Sequence, residues 1–393
     1  MKLFTSISLL LLTGGSAALT VREVQDGQTG VLMVLPPRQT DTGSKPIPDP
    51  AHPYIAPGPN DQRGPCPAMN TLANHGYVSR NGITTFEEMI LAGQEAFNMD
   101  QNLIAGMIVP NFLAHGNLFT NKISIGGISP FVPPLPGNID GPATLGIAKH
   151  GRVEGDASLS RSDAFIGDNR NFNQTIWNTN LEEISQFAVD GPDGPNTVVN
   201  VQTFIEIKRQ NIESDQALNP QFAMPLRRYN AVFAAPAVAL GQVFFLVNPT
   251  AGVTNRNFDT SLFSNGTTNL LTKNILNSFF EHQTFPAHWF RASAPVVAAT
   301  TGAFNAEIAA GLPQWFPGHN DENGVFVADP PAPAPFNTSI ACGAYWDQIV
   351  NGTPGSLANA TGILKQNVDL LNGILFAGSK CSQSVEPAGP TYV

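Results

Sequence analysis

Cysteine and basic side chains are scarce in this chain. Of its 393 residues, three are cysteine, and the 20 Lys and Arg are outnumbered by 30 Asp and Glu, for a formal net charge of −10. Nucleic acids and anionic membrane surfaces bind proteins through a basic face, so this balance argues against both as partners. The chain also lacks an HExxH motif, a Walker-type loop and a nucleophile elbow. No motif therefore supports a hydrolase or a nucleotide-dependent enzyme.

Long apolar runs are absent as well, because no stretch approaches the roughly 20 apolar residues that a transmembrane helix needs. The first 18 residues, MKLFTSISLLLLTGGSAA, combine Lys2, a short apolar run and small residues before a cleavage point. This pattern is typical of a secretory signal peptide, so we predict a secreted, extracellular protein. Sequons agree with export and predict surface positions at Asn173, Asn265, Asn337, Asn351 and Asn359.

Strand-like alternation is scarce, so the predicted fold class is mostly α, with long Pro/Gly-rich loops and little β structure. We divide the chain into a signal peptide at 1–18, a processed or loosely attached N-terminal arm at 19–50, and one domain at 51–393. A capping box of Thr84 with Glu87 predicts one helix start. Connectors at 128–142 and 328–335 are interpreted as ordered loops or extended linkers. Apolar spacing predicts further helices at 100–115, 172–189, 197–218, 268–281 and 356–377.

Three cysteines in an exported chain leave one without a partner. Cys342 and Cys381 lie near the C-terminus and flank a predicted helix, so we predict that they form a disulfide in an oxidising compartment. Cys66 then keeps a free thiol. Most lone cysteines are inert buried thiols, but the neighbours of Cys66 favour a chemical role.

Cys66 lies between two prolines in the stretch GPCPAMNTLANHGYVSRNG, residues 64–82. Pro67 suits the first position of a helix and Gly76 suits its C-terminal stop, which predicts a helix that ends at His75. Cys66 would lie at its N-terminus, where backbone N–H groups and the helix dipole stabilise a thiolate and lower the pKa of the thiol. Such a thiolate suits a metal or haem ligand, and a thiol nucleophile would have the same local sequence.

A second cluster follows the first connector, in HGRVEGDASLSRSDAFIGDN at 150–169. Glu154, Asp156 and Ser158 bring oxygen ligands together, and Gly155 allows its backbone carbonyl to turn inward. Hard cations such as Mg²⁺ prefer such a set of oxygens. The alternative is an N-capped helix start at the surface, which has no ligand.

Both stretches resemble the fungal haem-thiolate peroxidases, the group that contains chloroperoxidase and the unspecific peroxygenases. The residues that carry the resemblance are the Pro-Cys-Pro around Cys66 with the following NTLANHGYVSRNG, and the Glu-Gly-Asp with Ser158 and Arg161. The sequence is most similar to the longer peroxygenases. The resemblance runs from about His52 to Cys381 and includes NPQF at 219–222.

The resemblance implies a cofactor, a cation and a substrate class. Cys66 would be the thiolate ligand of the iron of haem b, and it would favour cleavage of the O–O bond of peroxide. Glu154, the Gly155 carbonyl and Ser158 would hold Mg²⁺ beside a haem propionate. The implied activity is oxidation or oxygenation of small apolar or aromatic compounds with hydrogen peroxide.

The distal residues that the resemblance implies are incomplete. The family uses an arginine and, seven residues later, a glutamate to split peroxide, and these positions correspond to Arg228 and Ala235. Arg227 is the alternative for the arginine. Met99 and Val153 lie where the family has aromatic residues. We therefore expect weakened peroxide activation, with a haem-binding homologue of little oxygenase activity as the alternative and a binding protein without haem as a third reading.

Overall fold

The structure, a computed structural model, describes residues 23–138, 145–191, 193–244, 270–287 and 289–389. The predicted signal peptide at 1–18 and the sequon at Asn265 lie outside the described residues. Within the described ranges, no helix combines the length and the apolar character that are needed to span a membrane.

Helices are the main regular structure of the described residues and the strands are few and short, which confirms the predicted fold class. All five helices predicted from apolar spacing are present with shifted ends, and three further helices, α6, α8 and α9, were not predicted. The helices are α1 Pro67–His75, α2 Phe86–Phe97, α3 Gln101–His115, α4 Gln174–Phe187, α5 Val201–Leu218, α6 Leu226–Phe244, α7 Lys273–Phe280, α8 Ala298–Ala310, α9 Ile340–Asp347 and α10 Gly362–Ser379.

The strands in the described ranges are short and pair only as antiparallel ribbons. Three two-stranded pairs are β1 Val24–Gln25 with β2 Gln28–Thr29, β3 Ile83–Thr84 with β4 Ile123–Ser124, and β5 Val189–Gly191 with β6 Gly194–Val198. A three-stranded sheet has the order β7 Ala223–Met224, β8 Gly318–Asn320, β9 Phe326–Ala328. Its first strand, β7, ends two residues before α6 begins, and the other two strands follow α8 in the chain.

Close helix contacts depend on residues without a side chain. A Cβ on Gly93 of α2 would lie 2.6 Å from Cγ1 of Ile104 in α3, and a Cβ on Gly241 of α6 would lie 2.9 Å from Cγ2 of Thr301 in α8. Distances under about 3 Å are not tolerated between carbon atoms. The two helix pairs therefore approach each other only because these positions are glycine.

The capping box of α2 is displaced by one residue from the predicted pair. The Thr85 hydroxyl accepts a hydrogen bond from the Glu88 backbone N–H at 3.2 Å, and the Glu88 carboxylate accepts one from the Thr85 N–H at 3.2 Å. The prediction of Thr84 with Glu87 is therefore wrong. Glu87 instead accepts a hydrogen bond at 2.9 Å from the backbone N–H of Val34.

The segment 23–50 is not a loosely attached arm over its described length. Met33 and Ile47 are buried in the core. The Met33 N–H donates to Oδ1 of Asn367 in α10 at 2.8 Å. The fully buried Arg291 donates from Nε to the Gly43 carbonyl at 2.8 Å. The expectation of loose attachment is wrong because buried side chains from distant parts of the chain hold this segment.

The predicted disulfide is present. Cys342 of α9 is bonded to Cys381, just after α10, with a Cα–Cα distance of 5.1 Å. Cys66 keeps a free thiol, as predicted.

Candidate functional site

Helix α1 begins and ends where its sequence predicts. Pro67 occupies the first turn, Cys66 is the N-cap residue with φ −86° and ψ 110°, and Gly76 closes the helix in the left-handed conformation with φ 74°. The Cys66 side chain makes no capping hydrogen bond. The thiol is therefore carried on a fixed backbone at a helix N-terminus.

The backbone before Cys66 is held by two buried side chains. Asn70 accepts a hydrogen bond from the Gly64 N–H and donates one to the Gly64 carbonyl, both at 2.9 Å. Arg161, which is fully buried, donates from Nη2 to the same carbonyl at 3.2 Å. The backbone next to Cys66 is thus held by Asn70 of α1 and by Arg161 of the stretch 150–169.

The pKa of the Cys66 thiol is raised. Burial is the largest cause, and it outweighs the lowering effects of the Met69 backbone N–H, the Arg161 charge and the Ala68 backbone N–H. The expected lowering by the helix N-terminus is thus present, but it does not decide the direction. The prediction of a lowered pKa for this thiol is therefore wrong.

A cleft of about 160 Å³ lies beside this helix N-terminus. Five parts of the chain meet there: the residue before Cys66, the loop 153–159, Lys208 of α5, Ala223 of β7 and one face of α6. The lining residues are Pro65, Val153, Glu154, Gly155, Asp156, Ala157, Ser158, Leu159, Lys208, Ala223, Arg228, Ala231, Val232 and Ala235. Val153 is among them and Met99 is not, because Met99 is buried between α2 and α3.

Arg228, and not Arg227, lines the cleft. Arg227 forms an ion pair with Asp347 at 3.0 Å and donates to the Gly151 carbonyl at 2.8 Å. Arg228 donates from Nη2 to the Ala223 carbonyl at 3.0 Å, while its buried Nε has no hydrogen-bond partner in the described part of the chain. Ala235 lies on the same face of α6. The position where the family has a glutamate therefore carries only a methyl group.

The loop 153–159 contains the predicted oxygen ligands. Oε2 of Glu154 accepts hydrogen bonds from His150 Nδ1 at 2.9 Å and from Asn169 Nδ2 at 2.7 Å. Burial raises the pKa of Glu154 against these contacts. The Ser158 hydroxyl accepts from the backbone N–H of Arg161 at 3.3 Å. Glu154, Gly155 and Ser158 all line the cleft.

Asp156 adds a second carboxylate to this loop. Its Oδ2 accepts from the Ala223 N–H at 2.9 Å, and burial raises its pKa to about 7. Its buried Oδ1 lies 3.2 Å from His150 Nε2 but has no hydrogen bond from any residue that the structure describes. Burial lowers the pKa of His150, but Glu154 and Asp156 outweigh it and raise that pKa, so the imidazolium of His150 is the cation that this oxygen faces.

The described residues do not bring three His, Cys, Asp or Glu side chains together as a metal cluster. The predicted set differs from such a cluster, because it combines one carboxylate with a carbonyl and a hydroxyl. The sequence reasoning missed three residues of α5 behind this loop, Lys208, Asn211 and Asp215. Their partners are backbone atoms, and no motif marks them.

Comparison with known proteins covers the region of the cleft. The family model described as "Peroxidase, family 2" matches residues 52–294. An "Aromatic peroxygenase" of Cyclocybe aegerita is 33% identical over 265 residues, 66% of this chain and 63% of the relative. An "Aromatic peroxygenase" of Coprinellus radians is 36% identical over 205 residues, 51% of this chain and 73% of the relative. A "Chloroperoxidase" of Leptoxyphium fumago is 32% identical over 141 residues, 34% of each chain.

Proposed function

Because the chain belongs to peroxidase family 2, we propose that it is a secreted haem-thiolate peroxygenase that uses hydrogen peroxide to oxidise or oxygenate small organic compounds. The alignment spans 63% of the Cyclocybe aegerita relative, less than two thirds of its length. The observation that carries the proposal is the free thiol of Cys66 at a helix N-terminus. Cys66 itself is not among the lining residues of the cleft, but the preceding Pro65 lines it together with Arg228.

The basic side chains around the cleft suit the acidic propionate groups of a haem. Cys66 would hold the iron. The buried Arg228 lines the cleft, and the Nε atoms of Arg228 and of the neighbouring Arg161 have no hydrogen-bond partner among the described residues. Unsatisfied buried donors favour an anionic ligand at this place. When bound, haem iron with a thiolate ligand supplies the cleavage of the O–O bond of peroxide.

We propose that Glu154, the Gly155 carbonyl and Ser158 hold Mg²⁺ beside the haem. Their oxygens are the hard ligands that Mg²⁺ prefers, and this ion keeps several waters and anionic groups of its ligand. The loop is also held from behind, so its oxygens are fixed before any ion binds.

Arg228 would orient peroxide by donating hydrogen bonds to its oxygen atoms. A proton must also move from one peroxide oxygen to the other, and the methyl group of Ala235 can neither take nor return it. We therefore propose that peroxide activation is slow in this protein. The alternative function is a haem-binding homologue with little oxygenase activity.

The expected substrates are small apolar or aromatic compounds. Val153, Leu159, Ala231 and Val232 give the cleft an aliphatic lining beside its charged groups. A net charge of −10 disfavours nucleic acid and anionic membranes as partners.

The absorption spectrum of the purified, reduced protein with and without carbon monoxide tests the proposal. A thiolate-ligated iron gives a red-shifted Soret band in its carbon monoxide complex. Cys66→Ala should lose this band. The double variant Cys342→Ala, Cys381→Ala is the matched control, since it removes two sulfur atoms and should keep the band. An unmodified protein that binds haem without this band would overturn the proposal.

A further inference from the structure

Helix α5 presents three buried polar side chains on one face. Lys208, Asn211 and Asp215 are 1%, 6% and 9% exposed. Their spacing of three and then four residues places them on the same side of a helix. Polar residues at such positions are buried only when they satisfy specific partners.

Their partners are backbone atoms of the cleft loop. Lys208 Nζ donates to the Ala157 carbonyl, and Asp215 Oδ2 accepts from the Ala157 N–H at 2.7 Å. Asn211 Nδ2 donates to the Ser158 carbonyl at 3.2 Å. Both polar backbone groups of Ala157 and the next carbonyl are thus bonded to one face of α5.

Ala157 has an unusual backbone conformation. Its φ is +59°, in the left-handed region that residues with a Cβ rarely adopt. Such a conformation persists only when the surroundings over-determine it. Lys208 and Asp215 bind Ala157 from opposite ends of its backbone, which is the kind of restraint that the conformation needs.

Burying the ammonium of Lys208 costs free energy that packing alone does not explain. Its side chain is almost fully buried, and burial lowers the pKa of its ammonium to about 7. No ion pair of Lys208 exists among the described residues, since Asp215 acts on it only at longer range. An apolar side chain would fill the same space at lower cost. The hydrogen bond to Ala157 is what the ammonium adds.

We propose that Lys208, Asn211 and Asp215 are positioning residues for a divalent-cation subsite formed by Glu154, Gly155 and Ser158. This inference rests on the cation site of the proposed function. Ala157 lies between Gly155 and Ser158, so its backbone angle decides how these two ligands stand relative to each other. The hydrogen bonds from α5 hold Gly155 and Ser158 in the lining of the cleft, where Glu154 also lies.

The affinity of the haem-loaded protein for Mn²⁺, a divalent probe read by electron paramagnetic resonance, tests the inference. Lys208→Met should weaken Mn²⁺ binding by about tenfold or more, the range typical of outer-shell partners of metal ligands. Arg209→Met is the matched control. Arg209 is the next residue of α5, and it pairs with Glu206 at 2.9 Å and with Glu213 at 3.0 Å instead of contacting the loop. Its loss should leave Mn²⁺ affinity unchanged.

A rescue variant separates positioning from general stability. Glycine adopts a positive φ without strain, so Ala157→Gly should restore Mn²⁺ affinity in the Lys208→Met background. If Lys208→Met does not fold, Asp215→Leu alone and with Ala157→Gly gives the same comparison. Unchanged affinity in a folded Lys208→Met protein overturns the inference, and so does a loss that glycine fails to rescue. If the unmodified protein takes up no Mn²⁺, the cation site itself is wrong. If the unmodified protein and Lys208→Met bind Mn²⁺ equally well, the site stands and only the positioning role is wrong.

Discussion

Arg228 and Ala235 lie on the same face of α6, and both line the cleft beside Cys66. Seven residues correspond to roughly two helical turns, which is why the two positions share a face. The helix thus presents one cationic group to the cleft and, where an acid–base group would complete the pair, a methyl group.

Ala235→Glu should raise the rate of peroxide-driven oxidation. A positioned acid–base group contributes about 10²- to 10⁴-fold to a proton transfer, so we expect an increase of at least about tenfold even if the new side chain is imperfectly oriented. Stopped-flow mixing of the haem-loaded protein with peroxide measures the rate. Asn230→Glu, which places a carboxylate at an exposed position of the same helix outside the cleft lining, should have no effect. Equal rates for both variants would contradict the proposed role of position 235.

Arg227→Met and Arg228→Met should have different effects. Arg227 pairs with Asp347, whose side chain is 7% exposed. Breaking such a pair leaves a buried charge, so we expect a loss of about 3 kcal/mol in the free energy of unfolding, measured with urea.

Arg228→Met should mainly change reactivity. Loss of a donor aimed at a reacting oxygen typically lowers the rate by about 10²-fold, so the reaction with peroxide should slow. Arg228 has no ion pair at close range among the described residues, so its loss should destabilise the protein in urea less than the loss of Arg227 does. Each arginine variant is the control for the other. The assignment of Arg228 to the cleft would be wrong if Arg227→Met slowed the reaction more.

The disulfide should contribute strongly to stability. Cys342 and Cys381 are separated by 39 residues. Closing a loop of that length is equivalent to about 4 kcal/mol in the chain-entropy estimate. The variant with serine at both positions should lose that amount in urea unfolding. Adding a reductant should destabilise the unmodified protein to a similar extent and leave the serine variant unaffected; a reductant effect of equal size on both would contradict the prediction.

His115 should make the protein sensitive to acid. It is buried at the end of α3, neither ring nitrogen has a hydrogen-bond partner among the described residues, and burial lowers its pKa from 6.5 to about 3. Between about pH 6.5 and pH 3, His115 is therefore protonated in the unfolded chain and neutral in the folded protein. Stability from this group is full above pH 6.5 and falls as the pH drops toward 3.

His115→Phe removes this proton linkage while keeping a ring in the core. At pH 4.5 the linkage corresponds to about 2–3 kcal/mol, so the variant should gain that much relative to the unmodified protein when compared with pH 7.5. Thermal unfolding at both pH values measures the gain. His282→Gln, which changes an exposed histidine, is the control. A gain of the same size at both pH values would show that packing, rather than protonation, is responsible.

The parts of the site that local sequence determines could be predicted. Pro67 and Gly76 are start and stop signals that act within one helix, so α1 and the placement of Cys66 followed from them. The capping box was displaced because Thr84 and Thr85 are both threonine and Glu87 and Glu88 are both glutamate. The two glutamates differ in their partners, because Glu87 accepts hydrogen bonds from Asn121 and Val34, whereas Glu88 accepts them from Ser79 and Thr84.

The parts that depend on distant contacts could not be predicted. Helix α6 contains Pro236, which predicts a break, yet the helix continues and packs closely on α8 through Gly241. The direction of the Cys66 pKa depends on how deeply the folded chain buries the sulfur. The grip of Lys208 on Ala157 joins a side chain to a backbone carbonyl 51 residues away, and no residue pattern encodes such a pair.

Asn367 binds a segment that is synthesised long before it. Its side-chain amide donates to the carbonyls of Val31 and Leu118, and its Oδ1 accepts from the Met33 N–H. The segment around Met33 is among the first parts of the chain to leave the ribosome, but its partner in α10 is made more than 300 residues later. These three contacts can therefore form only after α10 has been made, although Val34 can bond to Glu87 much earlier. A chain that stops before residue 367 would lack the contacts of Asn367 and keep that of Glu87.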